Sequence, residues 1–121
     1  MKIPYGKQWI NDKDIEKVNE VLKSDFLTTG PYVKEFEEKF AQYVGSKYAV
    51  AVANGTAALH LSALALDVKK GTEVVTSPMT FAASANCILY ASGTPVFVDI
   101  NDRGLIDETK ILDSILLRRV P

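Results

Sequence analysis

The sequence holds one cysteine, one histidine and one tryptophan, and its charges nearly cancel. A lone cysteine, Cys87, makes no internal disulfide, so the expected setting is a reducing cytoplasm. Fourteen basic residues against fifteen acidic ones leave a net charge of -1. That balance gives no electrostatic footprint for nucleic acid or for an anionic membrane surface. Charges interrupt every apolar run before it could cross a bilayer, and the opening "MKIPYGKQWI" lacks the apolar core of a signal peptide. There is no G-x-x-x-x-G-K-[ST] and no G-x-G-x-x-G, which removes the P-loop and the dinucleotide fingerprint. No repeat, low-complexity tract or linker breaks the chain, and no metal-ligand set is assigned.

What is present is a chain of 121 residues, 47% hydrophobic and 24% charged, the balance of a single globular domain with a modest core. Residues 12–24 read as an amphipathic helix capped by Asn11 or Asp12, with Ile15, Val18 and Leu22 on one face. After "SDFLTTGP", a second helix starts at Pro31, where a missing N–H costs nothing, and ends at Gly45. Val33, Phe36, Phe40 and Tyr43 form its stripe, and Glu35 with Lys39 supports it. The period then changes. "YAVAVA" (48–53), "TEVVTS" (72–77) and "PVFVDI" (95–100) read as three strands. Between them lie helices over 55–66 and 81–91, and Asp107 caps a last helix through about Arg118. The helix over 55–66 is apolar almost all round, so burial is expected. Three apolar strands alternating with helices predict an α/β fold with a parallel sheet covered on both faces.

Two stretches carry chemistry. In Asn54-Gly55-Thr56-Ala57, Asn54 can cap the helix and Gly55 lets a ligand approach the backbone. The first free N–H groups and the positive end of the helix dipole then suit a phosphate, with the Thr56 hydroxyl as a further donor. An ordinary capped turn would look the same. In "SPMTFAASAN", Phe81 again follows a strand and opens a helix, at the sheet end where open α/β folds bind ligands. Its ring either stacks on a flat cofactor or packs the helix onto the sheet. A phosphate cradle and a stacking ring at successive strand ends together suit pyridoxal 5'-phosphate (PLP). His60 and Cys87 read as packed helix residues.

"FLTTGPYVKEFEEKFAQYVGSKYAVAVANGT", "NGTAALHLSALAL" and "VVTSPMTFAASANCILYASGTPVFVDI" together resemble the DegT-type, PLP-dependent sugar aminotransferases, which have the fold-type I fold. "IPYGKQWI" adds a similarity to members that aminate a keto-sugar nucleotide on the way to pseudaminic acid. The resemblance covers roughly residues 2 to 111. It implies that residues 1–121 are the N-terminal part of the large PLP-binding domain, without the small C-terminal domain. It implies that the N–H groups of Thr56 and Ala57, with Gly55 and the Thr56 hydroxyl, hold the PLP phosphate and that Phe81 stacks on the pyridine ring. It places Thr29 and Gly30 of "TTGP" near the substrate pocket, that of the same or of a partner subunit. It also implies a nucleotide-sugar substrate, an amino-acid donor such as glutamate, and a homodimer or higher oligomer. Asp99 is not given the pyridine-nitrogen carboxylate role, which in the family falls to a later strand.

The resemblance puts the Schiff-base lysine beyond position 121, so no residue here is assigned as catalytic. None of the eleven lysines matches its context, Lys7 being the one whose segment approaches the pocket. After "GLIDETKI" the text "LDSILLRRVP" departs from the family's continuation, which reads as a truncated or frameshifted gene or a fragment. In the family's strand order "YAVAVA" pairs with a late strand. Here it is expected to re-pair, or to pair between copies. A non-catalytic remnant and a stand-alone phosphate-binding α/β domain are the alternatives to an aminotransferase.

Overall fold

The computed structural model describes Pro4 and residues 6–116. Its contacts divide the chain into two compact units that meet in sequence between Ala51 and Val52.

The first unit is helical. α1 (Asp12–Leu22) opens on a reciprocal cap. Asn11 Oδ1 accepts the N–H of Lys13 at 2.9 Å and of Asp14 at 3.3 Å, while Asp14 Oδ2 accepts the N–H of Asn11 at 2.9 Å. Two otherwise orphaned amides are thereby satisfied, which fixes the start of the helix. α2 (Pro31–Val44) has Pro at its first position and Gly45 at φ +71 as its stop. The left-handed glycine turns the chain so that the Ser46 N–H reaches back to the Ala41 carbonyl at 2.9 Å. Phe36 and Phe40 stack at 5.8 Å between centroids, and Ala41 is buried. The predicted apolar stripes sit where expected along both helices, yet Ile15, Val18, Leu22, Phe36, Phe40 and Tyr43 all remain exposed.

The second unit has the order α3 (Gly55–Ala65), β1 (Glu73–Thr76), α4 (Ala83–Tyr90), β2 (Thr94–Phe97) and α5 (Glu108–Leu116). β1 and β2 pair in parallel, from Glu73 opposite Thr94 to Thr76 opposite Phe97. Parallel strands need a crossover, and α4 supplies it. The ladder continues past both ends through Thr94 N–H to Thr72 O at 2.8 Å and Val98 N–H to Thr76 O at 2.9 Å. Residues 94, 96 and 98 therefore point their N–H groups at β1. Pro95, lying between them opposite Val74, removes no bond from this ladder. Alternation buries Val96 and Val98 and leaves Phe97 outside. The core joins Ala63 of α3 to Cys87 and Ile88 of α4, with Val68, Ala91 and part of Val74. Beyond β2, Ile100 bridges Ile106, and Asp107 caps α5 through its Oδ1, which accepts the Thr109 N–H at 3.1 Å. The Thr109 hydroxyl bond to the same oxygen is the main cause that holds the Asp107 carboxyl below its usual range.

Three expectations fail, the first being a sheet covered on both faces, since Phe97 is exposed on the face of β2 opposite Val96 and Val98. "YAVAVA" (48–53) is not a strand, so the described residues contain two strands instead of three. A strand is defined by a neighbour, and among the described residues these have none to pair with. Val50 is 78% exposed, and the Ala51 N–H donates to the Glu37 carboxylate at 2.7 Å where a ladder partner would stand. The helix over 55–66 is also not buried. Only Ala63 is buried, while Leu59, Leu61 and Leu64 stay exposed, because α4 covers one side of α3 and the apolar character runs all round. Arg118, where the last helix was expected to end, lies outside the described residues, as does Lys2.

Gly93, at the entrance to β2, decides how closely α4 approaches. A Cβ there would meet Val68 Cγ1 at 2.6 Å, Ile88 Cγ2 at 3.0 Å and Thr72 O at 3.2 Å. Gly93→Ala is expected to lower unfolding stability by about 1–3 kcal/mol, the usual range for overpacking. Gly6→Ala, with nothing within 4 Å, stays within about 0.5 kcal/mol. Urea titrations followed by circular dichroism compare the two.

Candidate functional site

α3 starts where an apolar segment meets Asn54, whose backbone is extended (φ -167) and whose Oδ1 accepts the Ala57 N–H at 2.9 Å. The Ala58 N–H returns to the Asn54 carbonyl at 3.1 Å. The Ala58 bond is the first regular one of the helix, and of the four amides a helix start leaves open the cap takes up that of Ala57. Those of Gly55 and Thr56 donate to no acceptor among the described residues, and neither does the Thr56 hydroxyl. A Cβ built on Gly55 meets nothing within 4 Å, so the space before these amides is open. Thr56 and Ala57 are half-buried. The arrangement is two outward N–H groups, one hydroxyl and the positive end of an 11-residue helix. It fits a phosphate. The Ala57 N–H, expected from the sequence to serve the phosphate beside Thr56, is committed to Asn54 instead.

Phe81 lies in the turn between β1 and α4 and is 79% exposed, with its ring face free. The turn is held by its own polar groups. The Met79 N–H donates to Ser77 Oγ at 3.2 Å, and the Thr80 and Ser84 hydroxyls share a bond of 2.9 Å. The helix begins two residues later than the sequence suggests, since Ala82 is its N-cap. α3 and α4 pack on each other through Ala63, Cys87, Ile88 and Ala91, so the helix starts that carry Thr56 and Phe81 belong to one unit.

The remaining candidates are placed as follows. Cys87 is buried, with its Sγ 3.3 Å from the Ser84 carbonyl, and His60 is half-buried with its ring edge-on to Tyr90 at 5.6 Å. Asp99 follows β2. Its Oδ1 accepts the Ile100 N–H at 2.8 Å and its carbonyl accepts the Asp107 N–H at 2.9 Å. A cleft of about 290 Å³ between α3, β1 and α4 is lined by Leu59, Ala63, Val75, Cys87 and Ile88, with hydroxyls from Ser62, Thr76 and Ser84. No charged side chain lines it, so an anion finds no counter-charge there. Lys7 is exposed. Among the described residues no helix is long and apolar enough to cross a membrane.

Thr29 and Gly30 belong to the first unit. Thr29 sits at φ +50, a left-handed conformation that a β-branched residue rarely adopts. Gly30, at φ -80, caps α2 without a side-chain bond, and a Cβ on it would lie 2.7 Å from Phe26 Cβ. The sequence marks this turn by its T-G-P text, but nothing in the text signals the left-handed residue. It likewise hides the Tyr32–Glu20 bond, which spans twelve positions between two helices.

Residues 8–119 match the profile of the DegT/DnrJ/EryC1/StrS aminotransferase family. The UDP-4-amino-4,6-dideoxy-N-acetyl-beta-L-altrosamine transaminase of Campylobacter jejuni (strain 81-176) is 43% identical over 109 residues, 90% of this chain and 29% of that protein. The PLP-form of Spr1654 from Streptococcus pneumoniae superposes with a TM-score of 0.84 at 34% identity, over 94% of this chain and 29% of that one. Helicobacter pylori PseC, an aminotransferase involved in the biosynthesis of pseudoaminic acid, superposes with a TM-score of 0.85 at 31% identity, over 93% and 31%. The chain spans about 30% of the length of the curated relatives it matches.

The Thr29 conformation carries a measurable cost. Thr29→Asn, which relieves a left-handed β-branched residue, is expected to raise unfolding stability by about 1 kcal/mol. Gly30→Ala, driven against Phe26, lowers it by about 1–3 kcal/mol. Urea unfolding checks both, and a loss in Thr29→Asn would mean that the threonine side chain holds the turn.

Proposed function

Because this chain belongs to the DegT/DnrJ/EryC1/StrS aminotransferase family, we propose that it is the N-terminal part of the large PLP-binding domain of a nucleotide-sugar aminotransferase. The enzyme moves an amino group from an amino acid, with glutamate as donor, to a keto-sugar nucleotide. It works in the cytoplasm as a homodimer or higher oligomer. The observation that carries the reading is the open helix start at Gly55 and Thr56 in a chain with this family match.

In this reading the amides of Gly55 and Thr56 and the Thr56 hydroxyl hold the phosphate of PLP. The Ala57 N–H joins them only where the phosphate displaces Asn54 Oδ1. The exposed Phe81 ring lies against the pyridine face and keeps water from it, and Thr29 and Gly30 border the sugar nucleotide. When bound, PLP supplies an electron sink at the carbon that gains the amine. This segment's own residues bind and orient. The proton-carrying Schiff-base lysine and the pyridine-nitrogen carboxylate are assigned to sequence outside these 121 residues.

A second reading is a phosphate-binding α/β module without transaminase chemistry. The lysines favour it. Lys17, Lys34, Lys39, Lys69 and Lys110 are drawn into exposed ion pairs with Glu20, Glu38, Glu35, Asp67 and Asp107, away from any cofactor role.

PLP titration of the purified chain, read by visible absorbance and by intact mass after borohydride reduction, tests the assignment. Saturable binding that inorganic phosphate displaces is expected, without a stoichiometric reduced adduct. Thr56→Val weakens PLP by about 1.5–3 kcal/mol, the range for a hydrogen bond to a charged group. Phe81→Ala alters the absorption band. One defined reduced lysine, with Lys7 the first to examine, would overturn the placing of the catalytic lysine elsewhere. Absence of saturable binding would remove the cradle.

A further inference from the structure

The start of α2, like that of α4 and unlike those of α1 and α3, has no side-chain cap. Gly30 contributes no side-chain cap, and Pro31 has no N–H. Yet the residue before them is a threonine at φ +50, which persists only where its surroundings fix it. Besides Phe26, which lies against Gly30, the turn is reached from α1 through Tyr32. Its hydroxyl donates to Glu20 Oε1 on α1, and Lys17 Nζ, 3.0 Å from Glu20 Oε2, lies 4.4 Å from the Tyr32 ring centroid. Among the described residues this is the hydrogen bond that joins α1 to α2. One carboxylate thus holds the hydroxyl and the ammonium together, and the ammonium holds the ring face.

We propose that Tyr32 is a positioning residue: gripped by Glu20 and Lys17, it fixes the first turn of α2 and thereby the left-handed Thr29 and the adjoining Gly30. The functional weight of this grip rests on the reading above that the turn borders the sugar nucleotide. The groups facing Glu20 are Lys17 on its own helix and Tyr32 and Glu35 on α2. The Tyr32 hydrogen bond first, and the Lys17 bond second, hold the Glu20 carboxyl below its usual range. The same bond raises the Tyr32 hydroxyl above its own. A carboxylate with a lowered pKa keeps its grip through neutral pH and loses it only as acid protonates it.

Amide NMR spectra of the whole 121-residue chain, recorded from neutral to acid pH, test the proposal. The Thr29 and Gly30 cross-peaks are expected to move with the Glu20 carboxyl, at a midpoint below that of an ordinary glutamate. Tyr32→Phe shifts both cross-peaks at neutral pH, abolishes their acid titration and returns Glu20 toward the ordinary midpoint, while Ala57 and Val96 stay in place. Glu20→Gln produces the same neutral-pH shift by a second route, and the double variant adds nothing further. Thr29 and Gly30 peaks unmoved in both single variants would overturn the proposal. A merely packing tyrosine would leave the acid titration in Tyr32→Phe intact. A separate titration of the wild-type chain with UDP-N-acetylglucosamine addresses the underlying reading. Perturbed Thr29 and Gly30 amides support it, and unperturbed ones count against the pocket assignment without touching the result on Tyr32.

Discussion

The second unit depends on the parallel pairing of Glu73–Thr76 with Thr94–Phe97. Four residues on each strand give little by themselves, and parallel pairing forces the chain to travel back before it can pair again. That return is α4, and its path is tight enough that Gly93 has no room for a methyl group. Once α4 lies on the pair, its Cys87, Ile88 and Ala91 give α3 a surface to meet. The placement of both ligand-binding candidates follows. Phe81 stands at the carboxyl end of β1 because the crossover begins there, and Thr56 heads the helix that α4 holds.

What was legible in the sequence was what local chemistry decides. Asn11, Pro31, Gly45, Asn54 and Asp107 act within a few residues of themselves, so helix starts and stops could be read from them. β1 and β2 were legible because an apolar run, a helix and a second apolar run describe one crossover unit. "YAVAVA" has the composition of a strand, but composition cannot supply a neighbour, and Ala51 turns to Glu37 instead. Burial of α3 failed for a related reason. An apolar circumference says what a helix tolerates, while its packing partner says how much of it is covered.

The candidate site was legible at the level of residues and less so at the level of atoms. The text pointed to the amides of Thr56 and Ala57 with the Thr56 hydroxyl, and the structure leaves open those of Gly55 and Thr56 with that hydroxyl. The text could not assign the Ala57 amide, because Asn54 can either cap the helix or yield to a ligand, and both choices have the same sequence. In the first unit, Thr29 and Gly30 form a turn whose backbone is constrained from Phe26 on one side and through Tyr32 on the other. Neither constraint has a short-range signature.

Pro95 gives the small sheet a sidedness. Its nitrogen faces away from β1, where it costs nothing, and so it leaves a rung without a donor on the outer edge of β2. A strand arriving on that side forgoes one backbone hydrogen bond, about 0.5–1.5 kcal/mol. The other edge, along β1, contains no proline. Sheet growth, by whatever segment, is therefore vectorial: it is favoured outward from β1 and discouraged outward from β2, so the short ladder carries its own instruction for which way a larger sheet extends.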